Sequence, residues 1–273
     1  MGSKTSKATG PTPVNTKVVV PRIPREIIEE ILDHLATDSD FRSLGQSSLQ
    51  SCALASKSWV PSCQRHLFHT VLFTPRSVAG WLETFPVPEK SPAHHVKHLR
   101  FSIENDGGIP KALFEYTPWF TNAERITFLM DEGFWLLHIP SFWRLPQSVT
   151  FLTISGGMIT LPQIQEVMAR LPNLDSLVLS GFPPPVYKSA LVGIGTVLRG
   201  RFGGELQLLG GYVGGGAVGM LLEIPTGLHF TDVRVENTRE CLLLTVKLAE
   251  ACSETLVKLS CTISFHRESR SLS

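Results

Sequence analysis

A short apolar motif that recurs at a nearly fixed spacing constrains the fold of this chain more than any other feature. Its form is apolar-x-x-apolar-x-apolar, and clear copies begin at Val96, Val149 and Leu174. The central residues of seven copies follow one another at intervals of 25 to 29 residues: Leu99, Ile126, Leu152, Leu177, Leu206, Val233 and Leu259. Such self-similarity is typical of repeat proteins, in which each unit contributes one strand and stacks on the next.

The alternation within the motif predicts which side chains are buried. We expect the first, middle and last motif residues to point into a continuous core. Intervening residues such as Asp175, Ser176 and Val178 should face outward from a parallel sheet. Helical returns are predicted at 162–171 and 241–251 from their apolar periodicity. In the second return, the residues expected on the buried face are Leu242, Val246 and Ala249.

A helical pattern precedes the repeats, between about 21 and 70. Apolar residues recur with helical spacing in its first part, at Ile27, Ile28, Ile31, Leu32 and Leu35. A second helix is predicted after the capping sequence Asp38-Ser39-Asp40, and a third from about 58 to 67. Three short helices form a core of marginal size. We therefore expect a partner or a neighbouring domain to cover part of their surface.

These patterns divide the chain into four parts. Residues 1–20 are predicted to be a disordered arm, whose first six residues fit an N-myristoylation pattern, with an ordinary flexible tail as the alternative. The helical domain covers 21–72, and 73–92 form a connecting segment with a packed helix that contains Trp81. The repeats occupy 93–273. The apolar stretch at 206–222 is too rich in glycine for a membrane span, so no stable membrane insertion is expected.

Composition excludes several classes of function. The 25 Lys and Arg residues nearly balance the 24 Asp and Glu residues, and no basic stripe with interleaved aromatic residues exists, so we expect no nucleic-acid partner. The five cysteines include no C-x-x-C pair. With no secretory signal at the N-terminus, this pattern favours a reducing compartment, cytoplasmic and/or nuclear, over a disulfide scaffold.

The sequence also lacks the motifs of common enzymes. Neither G-x-S-x-G, H-E-x-x-H nor a phosphate-binding G-x-x-x-x-G-K-[ST] occurs, so we predict no catalytic residues and no cofactor. Ligand-like spacing does occur in Cys63-x-x-His66-x-x-His69 and in His94-His95-x-x-His98. Neither group supplies a convincing fourth ligand, and we predict no metal site.

The helical region resembles a known interaction module. Its opening is similar to the start of an F-box: Ile23-Pro24-Arg25-Glu26-Ile27-Ile28, followed by Ile31, Leu32 and Leu35. The run Cys52-Ala53-Leu54-Ala55-Ser56-Lys57-Ser58-Trp59 resembles the second F-box signature, and Leu67-Phe68 resembles its close. Strand repeats after an F-box are similar to the leucine-rich-repeat members of this family, especially the degenerate fungal ones.

The resemblance implies a fold and a function. The fold would be α/β, with a small three-helix F-box followed by a leucine-rich-repeat-like solenoid that has a curved parallel sheet. In this family the F-box docks on the Skp-type adaptor of a cullin–RING ubiquitin ligase, and the repeats hold a target protein. Carried over by position, the adaptor-facing residues would be Ile23, Pro24, Ile27, Ile31, Leu32, Leu54 and Trp59.

Other interpretations of the same residues stay open. The chain departs from regular leucine-rich repeats because it lacks their asparagine ladder. It could be a protein-interaction solenoid, a scaffold with no ubiquitin-ligase role. The apolar stripe of the first helix could then pack against the repeats instead of a partner.

Overall fold

The structure is a computed structural model. It describes residues 23–37, 42–103, 111–130, 144–156, 164, 167–181, 203–210, 218–219, 221–222, 228–237 and 242–263. The predicted arm at 1–20, with its myristoylation pattern, lies outside these ranges, as do residues 162, 163, 165 and 166 of the predicted return at 162–171. Within the described residues, no helix is long and apolar enough to cross a bilayer.

Three helices form the first unit, as the apolar periodicity predicts. They are α1 (Arg25–Thr37), α2 (Arg42–Ala55) and α3 (Val60–Leu67). A proline in the first turn of α3 suits its position because no helical hydrogen bond is lost there. The three helices enclose a small core of their own, which contains Leu32, Leu49 and Cys63. This small core is separate from the main core of the molecule.

The rest of the described chain is built on one parallel sheet of eight strands, so the protein is α/β. The strands lie side by side in the order of the sequence. Their bounds are β1 Thr70–Phe73, β2 His98–Ile103, β3 Arg125–Met130, β4 Phe151–Ser155, β5 Ser176–Ser180, β6 Gly203–Leu209, β7 His229–Asn237 and β8 Lys258–Ile263. The connecting helices are α4 (Pro75–Thr84), α5 (Lys111–Tyr116) and α6 (Leu242–Ala251).

The register of the sheet confirms the repeat. The seven central motif residues pair directly with one another across β2 to β8: Leu99, Ile126, Leu152, Leu177, Leu206, Val233 and Leu259. An eighth strand, β1, was not predicted, and its Val71 pairs with Leu99. The predicted domain boundary between residues 72 and 73 therefore falls inside β1, and the sheet begins at Thr70 instead of residue 93.

The main core is a ladder of buried side chains on one face of the sheet. Phe73, Phe101 and Phe128 stack with ring centroids 5.9 and 5.4 Å apart and nearly parallel planes. Buried aliphatic residues continue this row along the next strands as Ile154, Leu179, Leu208 and Val235. Each fully buried residue of this kind contributes about 1.5–3 kcal/mol relative to its exposed state. The ladder is therefore the main stabilising element of the sheet.

A ladder of side-chain to backbone hydrogen bonds, which we call the polar ladder, links the segments that precede neighbouring strands. Side chains that precede a strand donate hydrogen bonds to backbone carbonyls 25 to 28 residues earlier. The bonds run from Asn122 to His94, from Ser148 to Ala123, from Asn173 to Gln147 and from Thr255 to Phe230, at 2.7, 2.7, 2.8 and 3.1 Å. Asn, Ser and Thr share this role because each has a side-chain N–H or O–H donor.

The connecting segments are packed as predicted, with one exception. In α4 the Trp81 side chain is buried in the main core, which confirms the packed helix between the two parts. The described residues of the 162–171 return also bury their predicted stripe: Ile164, Val167, Met168 and Leu171.

The exception is α6. Its buried residues are Thr245 and Leu248, whereas Val246, which was predicted to be buried, is 52% exposed. The prediction was wrong because three successive leucines, at 242–244, spread apolar side chains over more than half of the helix circumference, so the apolar pattern did not define one buried face. The adjacent strand β8 is exposed along its length.

Residues between the motif positions face away from the main core, but burial on this outer face is uneven. Asp175 is exposed as expected. Ser176 and Val178 were predicted to face solvent, yet they are 7% and 5% exposed. Thr127, on the same face of β3, is 7% exposed. The prediction treated the outer face as uniformly open, whereas neighbouring strands shield short side chains at the centre of a broad sheet.

Candidate functional site

Helix α1 has two apolar sides, and the small core uses one of them. Leu32 is buried there, with Ile28 and Leu35 packed beside it. Ile27 and Ile31 are 46% and 49% exposed, although both belong to the same predicted stripe. Residues four apart lie one above the other on a helix. The apolar surface of α1 is therefore wider than the small core can cover.

The outward side forms what we call the α1 stripe, which consists of Ile23, Ile27 and Ile31. Ile23 precedes the helix and is 51% exposed. Charged residues flank the stripe, including Arg25, whose Nε lies 2.9 Å from Glu29 Oε1. An apolar surface with a polar rim is typical of a protein-binding site.

The remaining adaptor-facing residues implied by the resemblance differ in exposure. Pro24 is exposed at the start of α1. Leu54, near the end of α2, is 90% exposed. Trp59 is half-buried and packs against the small core. Leu32 departs from the expectation, since it is 1% exposed and lies inside the small core.

The helical unit meets the sheet through α3 and the short 3-10 helix Pro92–His95. On α3, His66 Nε2 lies 2.9 Å from Asp33 Oδ1, and an Arg65 nitrogen lies 3.4 Å from the same oxygen. Burial, followed by the charge of Arg65, lowers the pKa of His66. Burial together with the neighbouring His94 lowers the pKa of His95. Both shifts favour the neutral imidazole over the charged one.

The ligand-like histidine and cysteine spacings do not converge on a metal site. Cys63 is buried in the small core, where desolvation raises the pKa of its thiol. The His94 and His95 rings contact each other with centroids 3.9 Å apart and planes tilted by 47°. Among the residues that the structure describes, no three His, Cys, Asp or Glu side chains are placed to hold a metal ion.

The outer face of the sheet presents side chains in rows that cross the strands. One row contains Thr70, His98, Arg125, Phe151, Ser176, Glu205, Asp232 and Lys258. The next row contains Leu72, Arg100, Thr127, Thr153, Val178, Gln207, Arg234 and Ser260. Polar and charged residues predominate in both rows, in contrast to the apolar ladder on the opposite face.

On β6 to β8 the charges of the outer face compensate one another. A guanidinium nitrogen of Arg234 lies 3.2 Å from Glu205 Oε1 and 3.7 Å from Asp232 Oδ2. The Lys258 ammonium lies 3.4 Å from the same Asp232 oxygen. Gln207 donates a hydrogen bond of 2.8 Å to Glu205. This network links three strands without a net excess of either charge at the contacts.

On β2 and β3 the outer face is basic. The Arg125 guanidinium carbon lies 4.1 Å from the centroid of the Phe151 ring, in a cation–π contact. His98 Nε2 and Thr127 Oγ1 form a hydrogen bond of 2.8 Å. Burial, together with the charges of Arg125 and Arg100, lowers the pKa of His98 to about 4. The imidazole is therefore neutral at pH 7.

Arg100 and Arg125 were not among the site residues predicted from the sequence. A signal for them existed, since Arg100 lies between two inward motif residues and Arg125 directly precedes another. Strand alternation places both on the outer face. The register between β2 and β3 brings the two arginines together on one surface. The repeated motif alone predicts this register correctly.

A cleft of about 460 Å³ opens at the chain segments around Pro146. The described residues that line it are Pro118, Arg144, Leu145, Pro146, Gln147, Ala169, Arg170 and Pro172. This lining offers no carboxylate, histidine or cysteine for acid–base or nucleophilic chemistry. The described features with the clearest chemical character are thus two surfaces, the α1 stripe and the outer face of the sheet.

Comparison of the chain with protein-family models, with curated proteins and with solved structures finds no match to any of them.

Proposed function

We propose that this chain is the substrate-recognition subunit of an SCF-type cullin–RING ubiquitin ligase. In this proposal the three-helix unit is an F-box that binds a Skp-type adaptor, and through it a cullin. The eight-stranded part is a leucine-rich-repeat-like solenoid that binds a target protein. The observation that carries the proposal is the α1 stripe, an exposed apolar surface on a unit with a small core.

The physical argument for docking is the cost of leaving this surface in water. Burial of apolar surface contributes about 25 cal/mol per Å². Three half-exposed isoleucines at helical spacing offer a continuous strip for a partner helix or groove. Leu54, on α2, is a further exposed apolar residue of the same three-helix unit.

The mechanism of such a subunit is positioning. The chain carries out no bond-making step itself in this proposal, and the chemistry is supplied by the ligase. A sheet of eight strands spaced about 4.8 Å apart extends roughly 34 Å from its first strand to its last. A target held on this sheet would be kept at a defined distance from the adaptor, which raises its effective concentration near the activated ubiquitin. We place this activity in the cytoplasm and/or nucleus, without a nucleic-acid partner.

A second candidate is a protein-interaction scaffold with no ubiquitin-ligase role. The charged outer face of the sheet favours it, because a target could bind there whether or not the helical unit binds an adaptor. In both candidates the sheet binds a target protein. They differ at the α1 stripe, which binds an adaptor in the ligase proposal and does not bind one in the scaffold proposal.

Co-expression with a Skp-type adaptor distinguishes the two candidates. We expect the unaltered chain to co-purify with the adaptor, and Ile27→Asp and Ile31→Asp to abolish co-purification. A charge placed in an apolar interface leaves an uncompensated desolvation cost. The matched control is Val246→Asp on α6, a residue that is 52% exposed, compared with 49% for Ile31. Leu32→Asp is unsuitable because it would unfold the small core.

Circular dichroism should show that the three variants keep the helix content of the unaltered chain. Failure of the unaltered chain to bind the adaptor would refute the ligase proposal and favour the scaffold. Retention of adaptor by both stripe variants would also refute docking through α1.

A further inference from the structure

Arg100 and Arg125 carry the positive charge on the outer face of β2 and β3. Thr127 and Phe151 are their neighbours on the next strands. Within the described residues, neither guanidinium has a carboxylate at ion-pair distance, and the contact found for Arg125 is with the Phe151 ring. This part of the face differs from β6 to β8, where Arg234 and Lys258 both have acidic partners.

The register brings these charges close together. Arg125 lies directly opposite His98, and Arg100 lies two residues further along the same strand as His98. The two arginines are thus diagonal neighbours on adjacent strands, within reach of one another for long side chains. Like charges in this arrangement repel each other. An anionic group between them would remove the repulsion and accept hydrogen bonds from both guanidinium groups.

The lowered pKa of His98 reflects the positive charge of this part of the outer face. The described titratable groups that face it are Arg100 on its own strand, Arg125 on β3 and His69 before β1. All three are basic, and each adds to the effect of burial in lowering the pKa of His98. No carboxylate is among the groups that affect this imidazole in the described structure. A bound anion would reverse part of this effect and raise the pKa of His98.

The side chains next to Arg100 and Arg125 suit an acidic group that is part of a protein chain. The Phe151 ring beside Arg125 is half-buried and offers an apolar surface at one side of the two arginines. Thr153, which pairs with Thr127 in the next row, offers a hydroxyl that can donate to or accept from a backbone. An oxyanion with a peptide around it can use all of these groups.

We propose that Arg100 and Arg125 form a binding site for an acidic side chain of the target protein, an oxyanion that is either a carboxylate or a phosphomonoester. The inference rests on the part of the proposed function that assigns target binding to the sheet. It does not depend on adaptor binding by the α1 stripe, since both the ligase and the scaffold require a target site.

The test uses three short peptides that are identical except at a central residue, which is Glu, phosphoserine or Gln. We expect the Glu or the phosphoserine peptide to bind the full chain at least tenfold more tightly than the Gln peptide. Arg100→Gln and Arg125→Gln should each weaken that binding by about tenfold, the effect of one charged hydrogen-bonded contact. Arg234→Gln, the same change at a compensated position of the same face, should leave it unchanged.

NMR titration of the His98 ring provides a second measurement. Binding of the acidic peptide should raise the pKa of His98, and the Gln peptide should not. The stronger of the two acidic peptides identifies the source of the oxyanion. Absence of binding by both acidic peptides, or equal binding of the Gln peptide, would overturn the inference, as would an equal loss in Arg234→Gln. Adaptor co-purification, measured on the same variants, shows separately whether the ligase proposal holds.

Discussion

The helical unit and the sheet differ in how completely each buries its own apolar side chains. The sheet buries a ladder that runs from Phe73 in β1 to Val235 in β7, and its strands share one register. The helical unit buries a small cluster around Leu32 and leaves Ile27 and Ile31 half-exposed on the same helix. In the sheet, neighbouring repeats together bury a core that a single repeat could not form. In the helical unit, part of the apolar surface remains outside the core.

The difference predicts which substitutions should affect stability and which should affect binding. A ladder in which each residue contacts its neighbours on both sides is stabilised from within the chain. A helical unit of this size gains part of its stability from whatever covers it. We therefore expect substitutions in the sheet core to lower global stability most. Those in the helical core should act locally, and those on the exposed surfaces should change binding without a large effect on folding.

The largest effect is expected for Phe101→Ala. Phe101 is fully buried and stacks between Phe73 and Phe128. Removal of the ring leaves a cavity between two neighbours that cannot close it, and the free energy of unfolding should fall by about 3–5 kcal/mol. Urea denaturation followed by circular dichroism measures the loss. A decrease below about 1 kcal/mol would show that the ladder is not the main stabilising element of the sheet.

A smaller and more local effect is expected for Leu32→Ala. Loss of this side chain should destabilise the helical unit by about 2–3 kcal/mol, at the lower end of the range for leucine because a small core can relax around the gap. Hydrogen exchange should accelerate in α1 to α3 while the amides of β2 to β5 keep their protection. Equal acceleration in the sheet would mean that the two cores unfold as one unit and that the helical core has no independent stability.

Substitutions in the polar ladder measure how much the hydrogen bonds between neighbouring repeats contribute to stability. Asn173 Nδ2 donates a 2.8 Å hydrogen bond to the Gln147 carbonyl, and its loss in Asn173→Ala should cost about 1 kcal/mol. Asn173→Ser is the informative companion, since a serine makes the equivalent bond from position 148. We expect the serine variant to recover part of the loss in thermal denaturation. No difference between the alanine and serine variants would indicate that the ladder adds nothing to stability.

Most of the sheet could be predicted from the sequence because one motif sets three things together. Its period predicts the strand order, its central residue predicts the register, and its alternation predicts the buried face. The first strand was missed although Phe68-x-x-Val71-x-Phe73 has the motif, since residues up to 72 were assigned to the helical unit. A four-residue strand directly after a helix is ambiguous on local pattern alone.

The candidate surfaces were less predictable than the fold. The sequence of α1 shows that apolar residues recur at helical spacing, but it does not show which of them face the small core and which face outward. Leu32 and Ile31 were therefore assigned to the same surface. Which side is covered depends on how α2 and α3 pack, and the sequence of α1 does not contain this information. The arginines of β2 and β3 could be assigned to a face. Whether a carboxylate of the described residues lies beside them depends on the neighbouring strands, which the local sequence does not contain.

On the outer face of the sheet, β6 to β8 and β2 to β3 also differ, and substitutions there should have the smallest effects on stability, with opposite signs. Arg234→Gln removes contacts to Glu205 and Asp232 and should lower stability by at most about 1 kcal/mol, since the guanidinium is half-exposed. Arg100→Gln removes a charge that repels Arg125, and should leave stability unchanged or raise it by a few tenths, about 0.2–0.5 kcal/mol. Denaturation at low and high salt measures both, because screening should shrink each difference. If both variants lose stability equally, Arg100 serves the fold as Arg234 does, and the basic part of the face is not reserved for a partner.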